Sequence, residues 1–140
     1  MRYLLDTNVI SEWTRLRPDP AVVAWLETAE EDALYLSVLP FAEIRLGIEP
    51  LPAGPKRARI SAWLDRDLAA RFEGRIIGIE RAIAEAWASI VARGRARGTS
   101  PTILDAFMAA TALVHQLTLV TRNERDLAGL GVLILNPWPA

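Results

Sequence analysis

Five short apolar runs alternate along this chain with helical segments, and that alternation limits the fold more than any other feature. The runs are Arg2 to Leu5, Leu34 to Ser37, Arg75 to Gly78, Leu117 to Val120 and Val132 to Leu135. Each has the length of a buried strand, and the residues between them follow a helical period. Asn8 to Thr14 reads as a first helix and Ala21 to Ala29 as a second, with Val22, Val23, Trp25 and Leu26 available for burial. Helices are also expected over residues 39–48, 56–72, 80–97, 102–115 and 124–130. Ile60, Trp63, Leu64 and Leu68 make one inward stripe, and Ile83, Trp87, Ile90 and Val91 another. Strands joined through single helices or helical hairpins imply a parallel sheet covered on both faces. The expected fold is therefore α/β: three layers around a parallel sheet of four to five strands. Pro52-Ala53-Gly54-Pro55 marks a turn within one domain over residues 1–140, because hydrophobic content is alike on its two sides.

Three carboxylates break into apolar sequence. Asp6 closes Tyr3-Leu4-Leu5, Glu43 lies in Phe41-Ala42-Glu43-Ile44, and Asp105 is the one charge between Ile103 and Leu113. Burying a carboxylate is costly unless a cation or several donors compensate it. The chain has one histidine (His115, read as structural) and one lysine (Lys56), so neither a histidine base nor a lysine partner is readily at hand. Clustered carboxylates without histidine point to a hard divalent cation, Mg²⁺ or Mn²⁺. Topology allows convergence, because ligands of parallel sheets sit outside the carboxyl ends of the strands. Asp6 and Thr121 leave two such ends, and Glu43 follows a third.

Each acid also has a structural reading. Asp6-Thr7-Asn8 can cap the helix that follows, and Glu43 can face solvent. Thr102-Ile103-Leu104-Asp105 fits a capping box; with Ser100 as the cap and Pro101 in the first position, Asp105 sits deeper instead. Its helical neighbours Ala109, Ala112 and Gln116 would let that face approach the sheet closely.

Composition narrows the class further. The chain has 140 residues, enough to bury about two-thirds of its unfolded surface. With no cysteine, disulfides, thiolate zinc sites and cysteine nucleophiles are all excluded. No apolar run reaches membrane-spanning length, and the chain turns acidic at Asp6, too early for a signal peptide, so a cytosolic location is expected. A net charge of −1 argues against a sequence-independent nucleic-acid coat but not against a nuclease.

Taken in order, Leu4-Leu5-Asp6-Thr7-Asn8, Ser37 with Ala42-Glu43-Ile44-Arg45-Leu46-Gly47, Asp105-Ala106-Phe107-Met108-Ala109-Ala110, Leu119-Val120-Thr121-Arg122-Asn123 with Asp126, and Asn136-Pro137-Trp138 make a constellation. It resembles the PIN-domain family, and within it the VapC-type toxins of bacterial toxin–antitoxin pairs, in their FitB-like branch. The resemblance implies a Mg²⁺-dependent endoribonuclease hydrolysing RNA phosphodiesters. It implies Asp6 and Asp105 as principal metal ligands and Glu43 as the third acid, holding a second metal or orienting the attacking water. Thr7, Asn8, Ser37 and Thr121 would be the polar side chains that support them. The fourth acidic position is ambiguous: Asn123 would hold its loop and a water at the cation, with Asp126 acting from one step further out. The competing reading is that Asn123 caps a short helix and Asp126 bonds back to it.

Arg93, Arg95 and Arg97 either complement the end of their helix or form a rim for RNA phosphates. Expected partners are RNA, a small antitoxin protein, and operator DNA through that antitoxin alone. A homodimer is expected too, because five tryptophans, Trp63 and Trp87 among them, suggest more apolar surface than one core absorbs. Two other functions compete. A phosphohydrolase of the haloacid-dehalogenase kind would use Asp6 as nucleophile, but needs a second aspartate where Asn8 stands and a later lysine. A non-catalytic binding domain would cleave nothing.

Overall fold

The computed structural model describes all 140 residues. Five parallel strands form its centre: β1 (Tyr3–Leu5), β2 (Leu34–Ser37), β3 (Ile76–Ile77), β4 (Thr118–Val120) and β5 (Ile134–Leu135), in the order β3-β2-β1-β4-β5. β1 is the middle strand, paired Leu4 to Leu119 and Leu5 to Val120 on one side and Tyr3 to Leu34 on the other. The helices are α1 (Thr7–Ile10), α2 (Pro20–Thr28), α3 (Leu39–Ile48), α4 (Pro55–Ala62), α5 (Ala69–Arg71), α6 (Arg81–Ala96), α7 (Ile103–His115) and α8 (Glu124–Leu127). None is long and apolar enough to cross a membrane.

The period of two along the strands sorts the core into two layers. Leu4 and Leu119 face α6 and α7, where Ile83, Ile90, Ala106, Met108 and Ala109 are buried. Leu5 and Val120 face the other way, onto Val9, Ile10, Val22, Leu26, Leu64, Leu68 and Phe72. One alternation further along, Asp6 and Thr121 fall on the α7 side. Ala109 and Ala112 are fully buried, which gives α7 the close approach that its small residues predict. Gln116 does not continue that face: it ends the helix in the left-handed region at φ 55° and is exposed.

Several boundaries differ from expectation for local reasons. The first helix is one α turn followed by a 3₁₀ turn, Ser11–Thr14, in which the Thr14 hydroxyl donates to the Ser11 carbonyl at 2.8 Å. Buried Glu12 holds that turn through an ion pair with Arg15 at 3.0 Å and by accepting from the Asp19 amide. The helix expected over 56–72 runs from Pro55 to Arg71 with a π turn at Trp63–Leu68. The helix after β4 stops at Leu127, since Ala128 is extended and Gly129 adopts φ 80°.

The loop between α6 and α7 folds back onto α6 at Gly94. A Cβ there would lie 3.1 Å from the Pro101 side chain, and the Gly94 carbonyl accepts from both the amide and the hydroxyl of Thr99. A side chain at that position would push away the segment that starts α7, and with it Asp105.

The tryptophans do not supply the surplus apolar surface expected of them. Trp87 stacks on Phe107 at 5.1 Å, Trp25 meets Tyr3 edge-on, Trp13 lies under Arg71, and Trp63 and Trp138 pack against the second core layer. The large exposed apolar side chains are elsewhere, including Leu46 on α3 and Ile103, Leu104, Leu113 and Val114 on α7.

Candidate active site

Asp6 stands where β1 ends, and its backbone amide extends the ladder by donating to the Val120 carbonyl at 2.9 Å. It caps α1 as one reading anticipated, with its carboxylate accepting from the Thr7 amide at 2.7 Å. Capping is only part of its environment. The Thr121 hydroxyl, one register step beyond the Leu5–Val120 pair, donates to Oδ2 at 2.7 Å. The Asn8 amide reaches the same oxygen at 3.4 Å. Hydrogen bonds to a charged acceptor contribute about 1.5–3 kcal/mol each, against several for removing a carboxylate from water. Here the cost of burial outweighs the donors: desolvation raises the Asp6 pKa despite the bonds from Thr121 and Thr7, and Asp105 adds to the rise.

Glu43 is the fifth residue of α3 and does not simply face solvent. The Thr7 hydroxyl donates to its Oε1 at 2.8 Å. Its pKa too is raised, first by burial and then by the charges of Asp6 and Asp105, with the Thr7 bond pulling the other way. Thr7 thus serves both acids, one through its amide and the other through its hydroxyl.

Asp105 settles the capping question in an informative way. Thr102, not Ser100, caps α7, and its hydroxyl accepts from the Asp105 amide at 3.1 Å. The Asp105 carboxylate makes no bond back to the cap. It therefore stays available in the first turn of α7, where the helix dipole favours a negative charge.

Asp6, Glu43 and Asp105 line one cavity of about 240 Å³ with Thr7, Asn8, Ser11, Leu104, Met108 and Asn123. No arginine or lysine lines it. Its acids, hydroxyls and amide carbonyls offer oxygen ligands, and burial with neighbouring carboxylates pushes Asp6 and Glu43 towards neutrality. That chemistry fits a hard divalent cation. The acids are not gathered round one point as a ready-made three-carboxylate cage.

The supporting residues divide. Thr7, Asn8 and Thr121 touch the acids. Thr121 uses its hydroxyl fully, donating to Asp6 and accepting from the Asn123 amide at 3.0 Å and the Asn8 amide at 3.4 Å. Ser37 does not reach the cavity: its buried hydroxyl accepts from the Leu39 amide and starts the helix that carries Glu43. Asn123 lines the cavity and makes no side-chain cap on α8. Asp126 lies outside, in a second cavity of about 400 Å³ that shares Asp105. Arg97 lines that second cavity, whereas Arg95 and Arg93 do not.

The sequence reading missed Ser11, Met108 and Arg125. Ser11 could have been found, since it stands one helical turn after Thr7 and Asn8. Arg125 lines the second cavity only because of how α8 is placed, which no local pattern states. The Asn-Pro-Trp end also acquires a physical role. Trp138 packs against the core beneath Arg122, with the guanidinium 5.4 Å from its ring, and so holds the loop that carries Thr121 and Asn123. His115 lies at the opposite edge of the sheet with Arg2 and Tyr35. Lys56 lines a separate groove with Thr14 and Arg15, so no lysine serves a phosphohydrolase at Asp6.

Residues 3–131 match the family model described as PIN domain. Toxin FitB of Neisseria gonorrhoeae is 37% identical over 135 residues, spanning 96% of this chain and 97% of that protein. VapC ribonuclease Y4jK of Sinorhizobium fredii is 33% identical over 135 residues, spanning 96% of both. The solved structure of FitAB bound to a DNA fragment superposes with a TM-score of 0.92 at 35% identity, covering 99% of this chain and 96% of that one.

Proposed function

The chain belongs to the PIN-domain family, and on that premise we propose that it is a metal-dependent endoribonuclease, the toxin of a VapC-type toxin–antitoxin pair in the FitB-like branch. The observation that carries this reading is the cavity lined by Asp6, Glu43 and Asp105 with no basic side chain beside them. Toxin and ribonuclease are the names its relatives bear.

Asp6 and Asp105 would hold Mg²⁺, with Mn²⁺ as a substitute. Bound there, the ion supplies polarisation of the phosphoryl oxygens and a lowered pKa for water. The chain's own groups do the rest. Thr121 and the Thr7 amide fix the Asp6 carboxylate, and the Thr7 hydroxyl fixes one oxygen of Glu43. Glu43, held by the Thr7 hydroxyl, is placed to orient the attacking water and take its proton as the new bond to phosphorus forms. The bond to the leaving oxygen breaks, and that oxygen takes a proton from solvent. Asn123 orients water in the same cavity, and Asp126 acts more weakly from the adjoining one. Ser37 contributes by starting α3 in the register that brings Glu43 inward.

The partner is a small antitoxin protein, through which alone the pair contacts operator DNA; that the similar FitAB has been solved on a DNA fragment supports a DNA-binding pair. The protein works in the cytoplasm and forms a homodimer. Support for the dimer is the exposed apolar surface at the two ends of α7, Ile103 and Leu104 at one and Leu113 and Val114 at the other. Sedimentation showing a monomer at tens of micromolar, about where weak dimers appear, would remove the dimer from this account.

The function is tested with protein cleared of contaminating nuclease. It should cleave RNA with Mg²⁺ or Mn²⁺, lose activity on chelation, and lose most of it in folded Asp6→Asn and Asp105→Asn variants. Undiminished cleavage by both variants would reject the metal-site assignment. Absence of any metal-dependent cleavage would leave a binding domain.

A further inference from the structure

The second cavity, on the far side of Asp105, has a different chemistry from the first. Its walls come from the end of α6, the loop that folds back at Gly94, the first turn of α7, and α8 with the glycine turn after it. Two guanidinium-bearing residues line it, Arg97 and Arg125. Arg97 is held in place by donating to the Gly129 carbonyl at 3.1 Å, which leaves the rest of its guanidinium for a ligand. Arg125 is exposed and pairs with no carboxylate, although Asp126 is its neighbour in sequence. Ser100 lines the same space. Asp105 and Asp126 line it too, so the place for an anion is on the arginine side. There two guanidinium groups and the start of a thirteen-residue helix favour an anion with several oxygens.

Asp105 lines both cavities, so a single strand whose reacting phosphate lies in the first can continue into the second. We propose that the cavity of Arg97 and Arg125 is the subsite for the phosphate of the nucleotide next to the cleaved bond in single-stranded RNA. This rests on the nuclease reading of the first cavity and assigns the second a separate task, holding the strand in register. Of the three arginines at the end of α6, it selects Arg97 alone and adds Arg125 from a different element. Asp126 at the same rim narrows the subsite, since a base edge or sugar can meet it but a second phosphate is repelled.

The test measures binding of a short single-stranded RNA by fluorescence anisotropy over a series of salt concentrations, in the Asp6→Asn background with Mg²⁺ present. Arg125→Ala should weaken binding about five- to tenfold near physiological salt and lower the log–log salt slope by about 0.7, the share of one phosphate contact on a single strand. Arg125→Lys should recover the slope and part of the affinity. Arg97→Ala should act in the same direction, but because it also frees the Gly129 turn, the exposed Arg125 gives the cleaner result. In the cleaving protein, Arg125→Ala should raise KM with little change in kcat, and replacing the adjacent phosphate by a neutral methylphosphonate should abolish the difference between Arg125→Ala and wild type. Binding and slope unchanged in Arg125→Ala would overturn the subsite while leaving the nuclease reading intact. So would an equal loss in Arg95→Ala, which would show a diffuse charge effect. A protein that cleaves no RNA yet loses slope in Arg125→Ala would keep a phosphate contact at Arg125 but overturn its place beside a cleaved bond along with the nuclease, and one that binds no RNA at all would remove both.

Discussion

The two cavities that meet at Asp105 are opposite in character. The smaller holds Asp6 and Glu43, has no basic side chain, and forces both carboxylates towards their neutral forms. The larger holds Arg97 and Arg125, which offset Asp126 and the shared Asp105. A few residues of α7 separate an environment that needs a cation from one that offers cationic groups to an anion. Sharing Asp105 keeps the two in fixed register. Chemistry and grip on the strand can then be assigned to different residues, and substitutions should sort accordingly.

The largest effect should come from the acids themselves. Asp6→Asn and Asp105→Asn should each lower kcat by about 10²–10³-fold, the loss typical of one strong electrostatic group at a reacting centre. Next comes Thr121→Val, which leaves all three acids in place but removes the hydroxyl that donates to Asp6 at 2.7 Å. A loss of about 10–100-fold in metal affinity is expected, the usual cost of removing a partner that orients a ligand, and calorimetric titration with Mn²⁺ would measure it. Asp126→Asn should be milder, less than about tenfold in cleavage, the bottom of that same range. A loss equal to that of Asp105→Asn would erase the distinction between the cavities. A lowered melting temperature with unchanged metal affinity and cleavage would make Asp126 a structural residue only.

The smallest effect is on stability and runs in the opposite sense. Asp6 and Glu43 have folded pKa values above their unfolded ones, so the folded state binds their protons more readily. Their contribution to stability is therefore full below the ordinary carboxylate range and is lost as pH rises through the raised values. At neutral pH in chelator, Asp6→Asn should raise the melting temperature by a few degrees, the shift that about 1 kcal/mol produces in a domain of this size. Mg²⁺ should stabilise the wild type and not the variant. A lower melting temperature for Asp6→Asn in chelator would mean that the donors around Asp6 outweigh its burial.

How far each cavity could be read from the sequence differs for the same physical reason. Asp6, Glu43 and Asp105 stand out because a charge inside an apolar run is a local anomaly, and strand ends of a parallel sheet have a known edge. The five strands follow equally from local pattern, down to the alternation that sets Leu4 against α7 and Leu5 against α2. Arg125 and Ser11 carry no such mark, since an arginine on a short exposed helix and a serine in a first helix are ordinary. Asp126 shows where sequence distance misleads: three residues from Asn123, it lies in the other cavity, because one turn of α8 carries it past Asp105. The tryptophans misled in another way, since composition counts apolar area but not the partners, such as Phe107 and Tyr3, that cover it.

Everything proposed for the smaller cavity depends on its being a divalent-cation site built by Asp6 and Asp105. Calorimetric titration of Mn²⁺ into the wild type and into folded Asp6→Asn and Asp105→Asn tests it without reference to any RNA. The wild type should bind saturably, and each variant should lose at least about tenfold in affinity. Equal binding by all three proteins would contradict it.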